Sequence, residues 1–339
     1  MKYNISYLTG RVLLYIAFFF VLYLLSFHVN ANEKTEKIRA HDPVMIVQDD
    51  TFYLFTTGMG ISVWSSKDME QWQREESVFS SAPEWTTDAI PEFRGHMWAP
   101  DIFYYNDLYY LYYSVSSFGR NNSFIGVATN KTLHPESPDF QWIDQGPVIQ
   151  SIPGRDLWNA IDPNVIIDKD QIPWMTFGSF WAGIKLFRLN EELTAPSEPQ
   201  QWHTIAARER DFNTDDHRAG NAAIEAPFIF QKGKYYYLFV SYDHCCRGIN
   251  STYKIMVGRS EDITGPYIDK DGTDMAFGGA SQVLEGNEDW PGVGHNAAYT
   301  FNGKDFLIFH GYDAHDEGRS KLLIREILWD EEDWPVVEL

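Results

Sequence analysis

Cysteine is nearly absent from this chain, and basic residues are scarce. The 339 residues include only two cysteines, the adjacent Cys245 and Cys246, and 27 Lys and Arg stand against 48 Asp and Glu, for a net charge of −21. Binding to a phosphate backbone requires basic patches, so this balance argues against a nucleic-acid partner and favours a neutral ligand. Linkers rich in Ser or Gly, low-complexity tracts and heptads are also missing, which predicts one domain from about residue 32 to residue 339.

Long apolar runs are missing too, apart from one near the start. The stretch from Val12 to Phe27 is mostly apolar, follows Lys2 and Arg11, and precedes Val29-Asn30-Ala31. A spanning helix takes about 20 apolar residues, so the run is short for a retained membrane anchor, which is the alternative interpretation. A basic end, an apolar core and small residues at the cut are typical of a signal peptide. We therefore expect residues 1–31 to be removed and the mature protein to be secreted, to the periplasm or outside, with no membrane attachment.

An acidic or imidazole residue recurs in five short motifs at nearly regular intervals. The anchors of these motifs, Asp42, Asp101, Asp162, Glu225 and His295, are 59, 61, 63 and 70 residues apart. Each is followed by an aromatic, β-branched run that predicts a strand, at 51–57, 108–114, 172–180, 236–242 and 306–312. Radial repetition of four-stranded blades produces repeats of this length. The sequence therefore predicts an all-β fold, a five-bladed β-propeller.

Further strands are predicted after each of these runs, at 61–65, 124–129, 183–189, 254–260 and 321–329. The polar stretch from Asn190 to Asn221 lies between the third and fourth units and predicts an elaborated loop. In a propeller the innermost strand of each blade lines a central channel. Side chains at the same place in every repeat would therefore project toward one point.

Asp42, Asp162 and Glu225 are the acids that this geometry would bring together. Like charges at short range raise the pKa of an acid, so holding three acids together costs free energy, which indicates that the protein uses them in its function. Glycoside hydrolysis requires such a group of acids, since one carboxyl stays protonated as a general acid and another is ionised to activate water. The alternative is that Asp-Pro and Ala-Pro pairs merely end the loop entering each blade. We accept that alternative for Asp101, whose place in the motif differs by a residue or two.

The sequence resembles glycoside hydrolase family 43, and within it the 1,5-α-L-arabinanases. The resemblance is carried, in order along the chain, by His41-Asp42-Pro43, His96-Met97-Trp98-Ala99-Pro100-Asp101, Asn159-Ala160-Ile161-Asp162-Pro163, Gly178-Ser179-Phe180-Trp181, Ile224-Glu225-Ala226-Pro227, Cys245-Cys246-Arg247-Gly248 and Gly294-His295-Asn296. It implies a five-bladed propeller and hydrolysis of α-1,5-linked L-arabinan, a plant pectin side chain, with inversion.

The resemblance also implies roles for the channel residues. Asp42 would be the general base, Glu225 the general acid, and Asp162 an ionised carboxylate that raises the pKa of Glu225 and orients it. In an inverting enzyme the base and acid carboxyls should stand about 6.5 to 9.5 Å apart, with room for a water between them. His295 would hold a hydrated ion, with calcium the preferred identity, although one histidine with waters is a weak site for a hard cation. No organic cofactor is expected.

An arabinan or arabino-oligosaccharide partner needs flat apolar surfaces and a few fixed hydrogen-bonding groups. The substrate-binding candidates, which match positions near the cleft in the family pattern, are Trp98, Phe118, Asn159, Ser179, Phe180, Trp181, Cys245 and Cys246. Packing at the rim is the alternative for Trp98 and Phe118. A bridge between neighbouring cysteines is strained, but export favours it, and the resemblance makes the pair an apolar surface for a sugar ring. We expect a monomer.

Three other functions remain compatible with the sequence. Small loop changes on the same scaffold would give an exo-acting α-L-arabinofuranosidase or β-xylosidase. Other propellers only bind carbohydrate or protein, because a fold does not fix a function, although a mere binding protein would be expected to have lost at least one of the three acids. A retaining propeller hydrolase with an Asp nucleophile is the third.

Overall fold

The computed structural model describes residues 37–339, so the predicted signal peptide lies outside the described residues. Within that range the chain is almost entirely strands and turns, with one short helix, α1 (Glu84–Ala89), and three 3-10 turns, Gly248–Asn250, Met275–Phe277 and Ala314–Asp316. None of the helices in this range has the length and apolar character needed to cross a membrane.

Five antiparallel sheets follow one another along the chain as the blades of a propeller, which confirms the predicted all-β class and the count of five. Blade 1 contains β1 (Val44–Gln48), β2 (Thr51–Thr56), β4 (Ser62–Ser66) and β5 (Gln73–Arg74). Blade 2 contains β6 (His96–Tyr105), β7 (Leu108–Val115), β8 (Ser123–Asn130) and β9 (Ile143–Ser151), with the two-residue β3 (Gly58–Met59) paired to β6. Blade 3 contains β10 (Asn164–Ile167), β11 (Pro173–Phe177), β12 (Ile184–Arg188) and β13 (Trp202–Ala206).

Blades 4 and 5 complete the ring. Blade 4 contains β14 (Ile224–Lys232), β15 (Tyr235–Tyr242), β16 (Lys254–Ser260) and β17 (Ser281–Leu284). Blade 5 contains β18 (Val293–Phe301), β19 (Lys304–Asp313) and β20 (Arg319–Glu326), and a small ribbon of β21 (Leu328–Trp329) and β22 (Pro335–Val336) follows it. Every strand run predicted from the sequence lies on a strand, with ends shifted by a few residues.

Two predictions of local structure need correction. The stretch 190–221 is only partly loop, because it includes β13, which pairs with β12, completes the sheet of blade 3 and buries Ile205 and Ala206. The third strand run also ends early, at Phe177, because Gly178 adopts a φ of 133° and the chain then leaves the sheet.

Several strands of the blades are covered on both faces. All eight residues of β8 and all six residues of β2 are buried, so these strands read as continuous runs rather than as alternating ones. Aromatic rings fill the space between the elements, as in the stacked pair Trp158 and Trp202, whose centroids lie 5.3 Å apart. This packing holds the inner strands at fixed positions around the channel.

The ring closes where the start of the described chain meets blade 5. The N–H of Leu322 in β20 donates to the carbonyl of Ile38 at 3.0 Å, and Arg39 forms a bridge with Lys321. The hydroxyl of Tyr299 in β18 also accepts the N–H of Met45 in β1 at 3.3 Å. Residues 38 and 39 therefore cover the outer edge of a blade that has three strands of its own, which protects its free hydrogen-bonding groups.

Candidate active site

One residue at the entry to the inner strand of each blade has a left-handed backbone. These five residues, with φ between 44° and 59°, are Asp42, Ala99, Asp162, Ala226 and His295. Proline follows in four blades, and Asn296 takes its place in the fifth. A positive φ is uncommon for residues other than glycine and costs on the order of 1–3 kcal/mol, so its recurrence indicates that the turn directs these side chains.

The sequence alignment of the repeats was therefore wrong in two blades. The left-handed position is held by Ala99, not Asp101, and by Ala226, not Glu225. Asp101 is buried further along β6, where it accepts the N–H of Val165 at 2.7 Å, which fits the structural role expected for it. Burial raises the pKa of Asp101 to about 7. Glu225 precedes its left-handed residue by one position and still reaches the channel through the bulge in β14.

A side chain from the preceding blade accepts the N–H of four of the five left-handed residues. These contacts are Ala99 N to Thr57 Oγ1 at 2.8 Å, Asp162 N to Ser114 Oγ at 3.1 Å, His295 N to Ser241 Oγ at 2.8 Å and Asp42 N to His310 Nδ1 at 3.1 Å. Each acceptor lies near the end of the second strand of its blade. Consecutive blades are thus joined at the channel by one repeated hydrogen bond.

Blade 3 lacks this acceptor, because Gly178 occupies the equivalent position. A Cβ there would lie 3.0 Å from the carbonyl oxygen of Gly183, so the site does not admit a side chain without movement. The N–H of Ala226 donates instead to Oδ2 of Asp162, at 3.1 Å. Asp162 therefore fixes the backbone directly beside Glu225.

Asp42 is surrounded by groups that favour its ionised form. Its Oδ1 lies 2.8 Å from Nδ1 of His41 and 3.1 Å from Nδ1 of His295, and its Oδ2 accepts the hydroxyl of Thr57 at 2.5 Å. Burial alone would raise the pKa of Asp42, but the charges of His295 and His41, with a hydrogen bond from His41, hold it well below its usual range. This carboxyl is an ionised base near neutrality.

Glu225 and Asp162 have the opposite electrostatics. Burial raises the pKa of Glu225, and the charge of Asp42 adds to the rise. Hydrogen bonds from Ser179, whose hydroxyl donates to Oε2 at 2.7 Å, and from Tyr253 act in the other direction, because they stabilise the ionised form. Burial, followed by the charges of Glu225 and Asp42, raises the pKa of Asp162 well above its usual value. The resemblance implies an ionised Asp162 that raises the pKa of Glu225, whereas here the charge of Glu225 is among the causes that raise the pKa of Asp162.

Tyr312 joins the cysteine pair to Asp42. Its hydroxyl accepts the N–H of Cys246 at 2.7 Å and lies 3.0 Å from Nε2 of His41, whose Nδ1 faces Asp42. Cys245 and Cys246 form a disulfide. A continuous line of hydrogen bonds therefore runs from the backbone of the disulfide to the ionised acid.

The described residues include one group of side chains with the composition of a metal site, His41, Asp42 and His310, whose ligand atoms lie within 4.8 Å of one another. Nδ1 of His310 already accepts the N–H of Asp42, and both ring nitrogens of His41 face partners. His295, the predicted ligand, fits a cation better, because its Nδ1 faces Asp42 and leaves Nε2 for an ion, and a ligating histidine commonly donates its other N–H to a carboxylate.

The predicted sugar-binding residues fall into two groups. Phe118 is 80 % exposed, Cys246 is exposed, and Trp98, Phe180 and Cys245 are half-buried, so these residues offer surface to a ligand. Asn159, Ser179 and Trp181 are buried: Asn159 accepts the hydroxyl of Ser123, Ser179 bonds Glu225, and the indole of Trp181 donates to the carbonyl of Asp216. With 1 % exposure, Trp181 has no ring face free for stacking on a sugar.

Comparison with known proteins agrees with this geometry. Residues 36–335 match the family described as glycosyl hydrolases family 43. The chain belongs to glycosyl hydrolase family 43. It is therefore a glycoside hydrolase, as the motifs predicted.

Characterised relatives of this family 43 hydrolase match along most of their length. It is 54% identical over 303 residues to the extracellular exo-α-(1→5)-L-arabinofuranosidase ArbA of Cellvibrio japonicus, covering 89% of this chain and 87% of that protein. It is 42% identical over 299 residues to the extracellular endo-α-(1→5)-L-arabinanase 1 of Bacillus subtilis, covering 87% and 86%. A solved structure of Cellvibrio cellulosa α-L-arabinanase complexed with arabinohexaose superposes with a TM-score of 0.88 at 54% identity, covering 89% of this chain and 96% of that one.

Several side chains of this family 43 hydrolase that shape the channel were missed by the sequence analysis. They are Thr57, Ser114, Ser241, Tyr253, His310 and Tyr312. The sequence carries a signal for Thr57, Ser114, Ser241 and His310, because each is a hydroxyl or imidazole residue near the end of a mostly apolar second strand. Tyr253 leaves no such pattern; it depends on Gly294, where a Cβ would overlap its ring.

Proposed function

We propose that this family 43 hydrolase cleaves α-1,5-linked L-arabinan with inversion, using Asp42 as general base and Glu225 as general acid. The observation that carries the proposal is the pair of opposite pKa shifts in one channel, lowered for Asp42 and raised for Glu225. Acid and base roles follow wherever the surroundings push the pKa values of two carboxyls apart. Relatives named for arabinan-type substrates support the choice of sugar.

In the proposed reaction, Asp42 takes a proton from a water that attacks the anomeric carbon. The bond from that carbon to the leaving oxygen breaks, and Glu225 gives its proton to this oxygen. Asp42 ends protonated and Glu225 ionised, and exchange with solvent restores both. Asp162 holds the N–H of Ala226 and so keeps Glu225 in position, and it shares in retaining the proton.

A hydrated cation, calcium by preference, would be held at Nε2 of His295, which is the nitrogen that does not face Asp42. When bound, such an ion supplies a positive charge beside Asp42 and favours its ionised form. His295 itself orients the carboxylate through Nδ1. Burial lowers the pKa of His295 although the charge of Asp42 raises it, and the neutral imidazole is the form that binds a metal ion.

Both exo and endo cleavage are consistent with the relatives, because the 54% identical protein is named for exo action and the 42% identical one for endo action. Product profiles from long linear arabinan separate these modes, since endo cleavage gives a spread of lengths early and exo action gives one short product. Branched arabinan and xylan in the same assay test the sugar specificity, and cleavage of xylan alone would contradict the proposal.

Nuclear magnetic resonance of the first anomer released from the substrate tests the stereochemistry. Inversion supports water as the nucleophile, whereas retention would replace the general base with an Asp nucleophile. Failure to hydrolyse any arabinan under conditions where the sugar binds would leave a carbohydrate-binding propeller and overturn the enzymatic proposal.

We propose further that the mature protein acts outside the cytoplasm as a monomer. The two relatives described above are named as extracellular. Mass measurement of the exported protein tests cleavage after Ala31, and light scattering tests the oligomeric state.

A further inference from the structure

Thr57 occupies the same place in blade 1 as Ser114 does in blade 2 and Ser241 in blade 4, but it contacts a catalytic acid as well. Its Oγ1 accepts the N–H of Ala99 at 2.8 Å, as the repeated hydrogen bond requires. Its hydroxyl also lies 2.5 Å from Oδ2 of Asp42. No such carboxylate contact is formed by the hydroxyls of Ser114 and Ser241 within residues 37–339.

The direction of the second contact is fixed by the first. The N–H of Ala99 donates to Oγ1 of Thr57 and so occupies one lone pair of that oxygen. An ionised carboxylate can only accept, and the hydroxyl proton is therefore directed to Oδ2 of Asp42. The backbone of Thr57 is also held, since its N–H donates to the carbonyl of His41 at 3.0 Å, beside Asp42 in sequence.

The two oxygens of Asp42 are not equivalent in this arrangement. Oδ1 lies within hydrogen-bond distance of two imidazole nitrogens, Nδ1 of His41 at 2.8 Å and Nδ1 of His295 at 3.1 Å. Nδ1 of His310 is further away, at 3.7 Å, and already accepts the N–H of Asp42. Each carboxylate oxygen offers about two acceptor positions, so Oδ1 is saturated while Oδ2, bonded by Thr57 alone, retains one.

We propose that Thr57 is a positioning residue for the general base and that Oδ2 of Asp42 is the oxygen that takes the proton from water. This inference rests on the proposed function, in which Asp42 is the base. Thr57 holds the plane of the carboxylate through one acceptor position of Oδ2 and leaves the other directed at the water. Thr57 thus acts on the reaction through Asp42 and does not touch the sugar.

Substitution at this position separates the hydroxyl from the shape of the side chain. Thr57→Val keeps the shape and removes both bonds of the hydroxyl, the one it donates to Asp42 and the one it accepts from Ala99, so we expect kcat to fall by about 10- to 100-fold. KM should stay within about twofold, because substrate binding is not touched. Thr57→Ser restores the hydroxyl and should keep kcat within about threefold of the wild-type protein, because the same oxygen makes both bonds.

The control for a merely structural role is a double-variant comparison with Asp42→Asn. If Thr57 acts through Asp42, adding Thr57→Val to Asp42→Asn lowers the residual kcat by no more than about twofold, whereas independent effects multiply. Thermal unfolding of each variant shows whether it is folded. The proposal is overturned if Thr57→Val keeps more than half of the wild-type kcat, if Thr57→Ser is as slow as Thr57→Val, or if the losses multiply.

The same series distinguishes this inference from the function on which it rests. Near-normal turnover by Asp42→Asn would remove the base role, and with it any role for Thr57 in aiming the base. Loss of turnover in Asp42→Asn together with normal turnover in Thr57→Val would leave the proposed function intact and remove only the present inference.

Discussion

At the scale of single residues, this active site is set by what surrounds two carboxyl groups. Asp42 lies among His41, His295 and a threonine hydroxyl, and the charges of the two histidines hold its pKa low against the effect of burial. Glu225 lies in a buried position with another acid close by, and its pKa is raised. Both groups are carboxylic acids with nearly the same intrinsic pKa, so the fold, and not the side-chain chemistry, assigns their roles.

Asp42→Asn and Glu225→Gln should each reduce turnover of arabinan by roughly 10³-fold or more, since a general acid or base typically contributes about 10²- to 10⁴-fold. Both substitutions preserve the size of the side chain, so both variants should fold. Asp42→Asn should have a lower thermal midpoint, because it loses the interactions with His41 and His295 that stabilise the ionised carboxyl, whereas Glu225→Gln should not. An aryl arabinofuranoside with a good leaving group distinguishes the two, because its leaving oxygen needs little protonation. Glu225→Gln should recover activity on that substrate and Asp42→Asn should not; equal recovery would refute the assignment of the roles.

Asp162→Asn should make the protein more stable near neutral pH while abolishing most activity. The amide oxygen can still accept the N–H of Ala226, and the uncharged group no longer has to be buried beside Glu225. We expect a gain of roughly 0.5–2 kcal/mol in the free energy of unfolding.

The pH dependence of this gain is fixed by the sign of the shift. The pKa of Asp162 is higher in the folded chain than in the unfolded chain, so above about pH 4 the unfolded chain releases a proton that the folded one holds. Wild-type stability therefore declines as the pH rises through that range, and the advantage of Asp162→Asn disappears below it. Denaturant unfolding at pH 3.5 and pH 7 measures this, and a variant less stable than the wild type at pH 7 would contradict the prediction.

At the scale of the elements, the inner strands and the second strands act together. A left-handed residue lies near the start of each inner strand, and in four of the five cases a polar side chain near the end of the preceding blade's second strand accepts its N–H. Blade 3 departs from this rule at Gly178, and it is there that an acid has taken over the contact. The exception to the repeat thus lies beside the proposed general acid.

Gly178→Ala should reduce both stability and turnover. Its φ of 133° is strained for a residue with a side chain, and the new Cβ would approach the Gly183 carbonyl, which would shift Ser179 away from Glu225. We expect a loss of about 1–3 kcal/mol in stability and a lower kcat.

Gly233→Ala is the matched control for this substitution. Gly233 also has a positive φ, of 58°, but a Cβ there meets nothing within 4 Å, and the residue lies in a hairpin turn away from Glu225. It should lose some stability with an unchanged kcat. Equal kcat values for the two variants would show that the Gly178 turn does not position the acid.

The sequence predicted the strands well, because an aromatic and β-branched run between turn residues favours a strand whatever packs against it. The three acids that it singled out lie close enough for the charges of Glu225 and Asp42 to raise the pKa of Asp162. The sequence did not predict which residue of each motif takes the left-handed turn. Ala99 and Ala226 carry no chemistry that marks them, so an alignment built on acids was drawn to Asp101 and Glu225. The raised pKa of Asp162 was not predicted either, because it depends first on burial, which a motif does not record.

At the scale of the whole molecule, the ring depends on a contact between residues that are distant in sequence. Ile38 and Arg39 pair with the edge of β20, some 280 residues later in the chain. Without them blade 5 keeps three strands and an open edge. The segment just before His41 and the proposed general base therefore also closes the ring.

A chain that starts at Ala40 should be less stable than one that starts at Asn32. It loses the bond from Leu322 to Ile38 and the bridge of Arg39 with Lys321, worth about 2 kcal/mol together, or roughly 4–8 °C in the thermal midpoint. Calorimetry of the two chains measures the difference. Identical midpoints would show that the first and last blades hold together without this pairing.

The hydrogen bond from Ala226 to Asp162 constrains how a descendant of this protein could lose its activity. In the proposed mechanism, Asp162 serves both the attachment of the fourth blade and the chemistry, whereas Glu225 serves the chemistry and accepts a bond from Ser179. In a descendant that only binds sugar, we therefore expect substitution at position 225 to come before substitution at position 162. An inactive descendant should still carry an aspartate or an asparagine at position 162, as a remnant of the hydrolase from which it came.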